Sequence, residues 1–313
     1  MDQWKVLITD GLHEDGKAIL RRAAQVDDQT DISADALLQL IHSYDAVIVR
    51  GRTKITADVL AAGSRLKVVG RAGVGVDNID LEAARRQGVI VVNAPKSTTE
   101  AVAELTLGLM LAVARSIPRA DHAMKSAAWI KKQLEGVELR GKTLGIIGMG
   151  NIGSAVGRLA TALGMQVFAY DPLLSADEIE ARGAEPAALR DLYARSDFIT
   201  LHVPLNESTR GMINADALAQ MKPGVRLICA ARGGVVDEEA LLQALNSGQV
   251  AAAGLDVFAK EPPGLTELIA HPNVVATPHI GAQTEEAQVR ASEDIACEVL
   301  AALRGEPLRW RVA

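Results

Sequence analysis

Short runs rich in β-branched residues alternate along the chain with longer Ala/Leu segments of helical period, the pattern of an α/β protein with a mainly parallel sheet. The first series of runs covers residues 5–9, 45–49, 66–69 and 89–92. A second series covers residues 144–147, 166–170, 198–203, 225–230, 252–257 and 274–277, enough for a complete doubly wound sheet. Between the two series, residues 99–114 are apolar on most faces and predict a buried helix at a domain or subunit boundary. A last helical pattern over residues 284–304 has no strand after it and is expected to pack back on the N-terminal domain. The expected organisation is therefore two domains, one from residues 1–95 with 284–313 and the other from residues 96–283.

The run at 144–147 enters Gly148-Met-Gly150-Asn151-Ile152-Gly153 and then a helical stretch, the strand, turn and helix that a dinucleotide-binding site requires. Gly148 permits the tight turn, Gly150 lets a pyrophosphate approach the backbone, and Gly153 lets helix pack against strand. The helix N-terminus favours the anion through its unpaired N–H groups and partial positive charge. Asp171 follows the next apolar run, 18 positions after Gly153, where a carboxylate receives the adenosine ribose hydroxyls and repels a 2′-phosphate. This favours NAD over NADP, a preference that a nearby Arg would reverse.

Three polar residues fall after strands of the same series: Arg232 in Ala231-Arg232-Gly233-Gly234, Glu261 before Pro262-Pro263, and His279 in Pro278-His279-Ile280-Gly281. The carboxyl ends of strands line the ligand crevice of an open α/β sheet, so the three can converge. His279 suits the removal of a hydroxyl proton, and Glu261 suits orienting the imidazole and stabilising its protonated form. Arg232 offers a planar, bidentate fork to the oxygens of a 2-hydroxy or 2-oxo acid. Taken singly, each also has a structural reading as a packed histidine, a turn cap or a loop bridge. A second basic set, Arg50 and Arg71 with the glycine-rich bend at Gly73-Val74, follows strands of the first series and could hold an anionic substrate, with Lys131 and Lys132 adding to the field.

Composition narrows the picture. With 33 basic and 39 acidic residues the net charge is −6, evenly spread, with no electrostatic footprint for nucleic acid. Only Cys229 and Cys297 occur, which argues against a disulfide framework or thiolate metal site and fits a reducing compartment. No signal peptide or membrane-length apolar stretch is visible, so a cytoplasmic protein is expected.

These motifs resemble those of the D-isomer-specific 2-hydroxyacid dehydrogenases. The resemblance extends over nearly the whole chain and rests on the segments at 49–58, 69–78, 141–145, 231–237 and 254–258, the fingerprint glycines, Glu261-Pro262 and residues 278–282. It implies a Rossmann NAD domain inserted into a flavodoxin-like substrate domain, and commonly a homodimer built through the cofactor domains. Arg232, Glu261 and His279 match the family's catalytic residues. Asn151, Ile152, Asp171, Val203, Pro204, Ala230, Arg232, His279 and Gly281 match cofactor contacts, as does Asp256, whose carboxylate in the family reaches the nicotinamide carboxamide. Substrate contacts fall on Arg50, Arg71, Arg232, His279 and the amides of Gly73 and Val74, with a small 2-hydroxy acid, phosphorylated or plain, as the partner and no metal, nucleic acid or membrane. Thr98, Val74 and Cys229 stand where many relatives have other residues, which leaves substrate choice open. The resemblance also implies no serine-binding regulatory module within these residues. A dinucleotide-sensing corepressor-like scaffold is the non-enzymatic alternative, against which the intact Arg, Glu and His argue.

Overall fold

The computed structural model describes residues 3–313. They divide into two compact units, one formed by the chain up to Thr98 together with Ala282–Ala313, the other by Thr99–Gly281.

In the first unit β1 (Trp4–Ile8), β2 (Ala24–Asp28), β3 (Ala46–Val49), β4 (Val68–Arg71) and β5 (Ile90–Asn93) are all parallel, in the order β2-β1-β3-β4-β5. This is the flavodoxin-like winding. Leu7, Val47, Val49, Val69 and Val91 enter one apolar layer, while Val6, Ile8, Ala46, Ile48, Val68 and Val92 enter the other. Both faces are buried, which is why the central strands read as unbroken apolar runs. β2 falls outside the expected runs because it is an edge strand with only Ala24 buried.

The Glu285–Arg304 helix covers the second layer with Ile295, Ala296, Val299 and Leu300. Thr284 caps its start by accepting from Ala287 N, and Gly305 ends it in the left-handed region at φ 71°, both ordinary helix signals. Gly70 on β4 lets it lie close, since a Cβ there would stand 2.6 Å from Val299 Cγ2. The buried Glu298 carboxylate then accepts from Arg309 N (2.9 Å), Arg309 Nε (2.7 Å) and Trp310 N (3.2 Å), so the final residues are drawn against β5.

In the second unit β6 (Thr143–Ile147), β7 (Gln166–Tyr170), β8 (Glu185–Pro186), β9 (Phe198–Leu201), β10 (Val225–Cys229), β11 (Val250–Leu255) and β12 (Val274–Ala276) are parallel, ordered β12-β11-β10-β9-β6-β7-β8. β8 also falls outside the expected runs; it is a two-residue edge strand that carries a proline, and an edge is one of the few places where a strand tolerates one. The winding reverses between β6 and β9, where β6 pairs with β7 on one side and β9 on the other. Ligands of open α/β sheets bind beyond the carboxyl ends of strands at that reversal. The Thr99–Arg115 helix belongs to this unit and buries Ala103, Leu109, Met110 and Val113 in the core that contains β6.

No single helix among the described residues is long and apolar enough to cross a membrane.

Candidate active site

At the reversal point β6 ends in Gly148, whose φ of 92° lies where side chains are disfavoured. A Cβ on Gly153 would stand 2.1 Å from Gly148 O, so any side chain there forces strand and helix apart. Gly150 is the N-cap of the Asn151–Ala162 helix and supplies no side-chain acceptor, leaving the first-turn amides without a side-chain cap. A Cβ on Gly150 would meet nothing, so the space in front of those amides is open. This is the cradle that a pyrophosphate fits.

Asp171, just after β7, accepts from Met149 N at 2.9 Å through Oδ2 and from Leu173 N at 3.0 Å through Oδ1. Arg182 donates to Met149 O at 2.8 Å and Ser154 Oγ to the same oxygen at 3.2 Å. The Met149 backbone in the middle of the turn is thus held from both sides. Arg182, the arginine held at this turn, is engaged through NH1 with that backbone carbonyl. After β9, Val203 Cγ1 and the His202 carbonyl pack against Gly148, and Pro204 O accepts from Thr209 Oγ1. His202, which sequence reasoning passed over, bonds Thr200 Oγ1 through Nε2 at 3.0 Å. Burial pushes its imidazole down to about 4, so it is neutral beside the phosphate turn at physiological pH.

The three candidate polar residues also lie beyond strands of this unit. Glu261 Oε2 meets His279 Nδ1 at 2.7 Å, while Glu261 Oε1 accepts from Phe258 N at 3.0 Å. His279 Nε2 has no partner among the described residues, and its side chain is half exposed. Its backbone is left-handed at φ 52°, a conformation that costs about 1–3 kcal/mol for a residue other than glycine. Asp256 holds it there. The Asp256 carbonyl accepts from His279 N at 2.9 Å. The carboxylate accepts from Thr277 Oγ1 (2.6 Å), Ile280 N (2.8 Å) and Gly281 N (2.8 Å). Asp256 has no exposed surface; the expected reach to a nicotinamide carboxamide therefore meets a carboxylate already engaged in shaping the histidine turn.

Arg232 NH1 donates to Ala231 O at 2.7 Å, which fixes the near side of its fork. Its turn lies against the turn that carries Glu261, since a Cβ on Gly233 would overlap Phe258 O. Cys229 lies under Arg232, with Sγ 3.8 Å from Arg232 O, and burial pushes its thiol up to about 11. At pH 8 its thiolate fraction is then on the order of 10⁻³. Iodoacetamide on the native protein is expected to label exposed Cys297 first and to spare Cys229 until unfolding. Peptide mapping that found Cys229 modified at a comparable rate would contradict this.

In the first unit Arg50 follows β3. Asp10 Oδ2 accepts from Arg50 N (2.8 Å) and Thr53 N (3.0 Å), and Asn78 Nδ2 donates to Arg50 O (3.0 Å) and Thr53 O (2.6 Å). The loop is pinned through both its amides and its carbonyls. The Arg50 guanidinium makes no hydrogen bond or ion pair among the described residues, and burial lowers its pKa against the opposing pull of the Asp10 charge, so an anion beside it would be favoured. Arg71 NH1 donates to Ala72 O at 3.3 Å. Gly73 N–H donates to Arg71 O at 2.8 Å. Of the two amides expected to hold a carboxylate, that of Gly73 is therefore occupied. Val74 N–H has no acceptor among the described residues. Lys131 and Lys132 lie exposed in a short 3-10 turn of the second unit.

Residues 107–281 match the family D-isomer specific 2-hydroxyacid dehydrogenase, NAD binding domain. The chain is 47% identical over 308 residues to a D-3-phosphoglycerate dehydrogenase of Synechocystis sp., covering 98% of this chain and 56% of that protein. It thus spans little more than half the length of the curated relatives it matches. Among solved structures it resembles a glyoxylate reductase from Paecilomyes thermophila, with a TM-score of 0.92, 30% identity and coverage of 100% and 99% of the two chains. It also resembles a D-lactate dehydrogenase from Aquifex aeolicus complexed with NAD and lactic acid, with a TM-score of 0.84, 31% identity and 96% of each chain covered.

Proposed function

Because the chain belongs to the D-isomer-specific 2-hydroxyacid dehydrogenase family and carries its NAD-binding domain, we propose that it interconverts D-3-phosphoglycerate and 3-phosphohydroxypyruvate, the entry to serine biosynthesis. The observation that carries the reaction class is the pair Glu261 and His279 at 2.7 Å, with His279 Nε2 free to face a substrate. The name shared by the relatives at 44–48% identity supports the substrate, as does a half-buried Arg50 without a protein acceptor.

In this reading bound NAD would supply the acceptor for the hydride that leaves C2. The uncapped amides of Asn151, Ile152 and Gly153 hold its pyrophosphate and Asp171 its adenosine ribose, with Val203, Pro204, Ala230 and Gly281 as further contacts. His279 Nε2 takes the C2 hydroxyl proton, and Glu261 keeps the imidazole in the tautomer that leaves Nε2 free. Arg232 holds the carboxylate and the C2 oxygen, and Arg50 and Arg71 recognise the phosphate. Cytoplasmic localisation and assembly as a homodimer belong to the same proposal, and light scattering of the purified protein reads the second.

Loss of NADH absorbance with 3-phosphohydroxypyruvate, hydroxypyruvate, glyoxylate and 2-oxoglutarate in parallel, repeated with NADPH, tests it. The expected result is a strong preference for the phosphorylated acid and for NADH. Equal or better turnover of hydroxypyruvate or glyoxylate would keep the catalytic residues and discard the substrate. No turnover of any acid would discard the enzymatic reading.

A further inference from the structure

The turn that carries Glu261 is gripped from outside its own sequence. Glu238, first residue of the Glu238–Ser247 helix, turns its Oε1 onto Ala259 N at 2.6 Å, while the neighbouring amide, Phe258 N, is taken by Glu261 itself at 3.0 Å. The peptide that joins Phe258 to Ala259 is therefore held at its N–H by Glu238 and packed at its oxygen by Gly233. Gly233 and Glu238 both belong to the segment that begins at Arg232. Two successive amides thus rest on two carboxylates, and one of these is the partner of His279.

An acidic residue in the first turn of a helix is ordinarily explained by the helix dipole. That need is met here without Glu238: Asp237 caps the helix by accepting from Glu239 N and Ala240 N, both at 3.1 Å, and Glu239 supplies a second acidic group in the same turn. Glu238 instead makes a short, charge-assisted bond across 21 positions of sequence. We infer that Glu238 is a positioning residue for the reaction, fixing the turn of Glu261 at a set distance from the turn of Arg232. The inference rests on the catalytic reading given above.

Glu238→Ala and Glu238→Gln separate the hydrogen bond from the charge, because a glutamine carbonyl still accepts from Ala259 N and carries no charge. Glu238→Ala is expected to lower kcat about 10- to 100-fold, the scale of a sub-ångström to ångström misplacement of reacting groups. NADH affinity by fluorescence should stay within about two-fold, since the Gly148–Gly153 turn is untouched, and Glu238→Gln should recover most of the rate. Equal losses in both variants would mean that only the charge matters and would overturn the inference, as would an Ala variant with unchanged kcat. Amide exchange at Phe258 and Ala259 reads the tie without turnover: faster exchange at Ala259 in folded Glu238→Ala supports it, and unchanged exchange overturns it. Absence of turnover in the wild-type chain would instead count against the catalytic reading.

Discussion

Replacement of His279 by Gln is expected to lower kcat by about 10²–10⁴, the usual contribution of a positioned general base. Glutamine has similar reach and can still donate to Glu261, but it cannot accept the C2 hydroxyl proton at neutral pH. The loss should fall on kcat and on kcat/KM together, because the proton moves only as the reaction proceeds. The left-handed backbone at position 279 is held by Asp256 and not by the imidazole, so the turn should survive the substitution. Turnover within a few-fold of wild type would remove His279 from the mechanism.

Arg232→Ala should be comparably severe but should divide differently between the kinetic constants. Two charge-assisted bonds to the substrate are lost, each worth roughly 1.5–3 kcal/mol, so kcat/KM is expected to fall by about 10²–10⁴ with a clear rise in KM. Arg232→Lys should recover little of this, since an ammonium cannot reproduce the planar fork. Guanidinium ion added to the Ala variant should restore part of the rate. A Lys variant close to wild type would reduce Arg232 to a general positive charge and undo its assignment as a bidentate anchor.

The parts of the molecule that were legible in the sequence are those written as local pattern. Central strands such as β1, β3, β6 and β9 are buried on both faces and so appear as apolar runs, and the glycines of the dinucleotide turn appear because close approach excludes every other residue. β2 and β8 were not legible because an edge strand needs no apolar run, and pairing with one neighbour suffices. Arg232, Glu261 and His279 could be placed after their strands, but nothing local told that Glu261 would face His279 through one oxygen and Phe258 N through the other. The same holds for Asp256, Glu238 and Arg182. Each bonds backbone groups distant in sequence, and a backbone amide or carbonyl leaves no residue signature for a spacing argument to find. Arg50 was noted for its charge, whereas the backbone that carries it is pinned by Asp10 and Asn78, 40 positions before and 28 after it.

The returning Glu285–Arg304 helix also dictates an order of events on the ribosome. The first five strands emerge early, yet one face of their sheet has its apolar cover in Ile295, Ala296, Val299 and Leu300, which are translated only after the whole of Thr99–Gly281. At ~5–20 residues per second that interval is on the order of ten seconds or more. For its duration Val6, Ile8, Ile48 and Val68 on the nascent β1-β3-β4 face lack that share of their cover and have Leu12 and Leu20 of the early chain against them, and transiently exposed apolar surface of this kind is what chaperones shield. The second unit, continuous in the chain, can complete its core before the first. Of the two units, the one whose strands emerge first is thus the later to be finished.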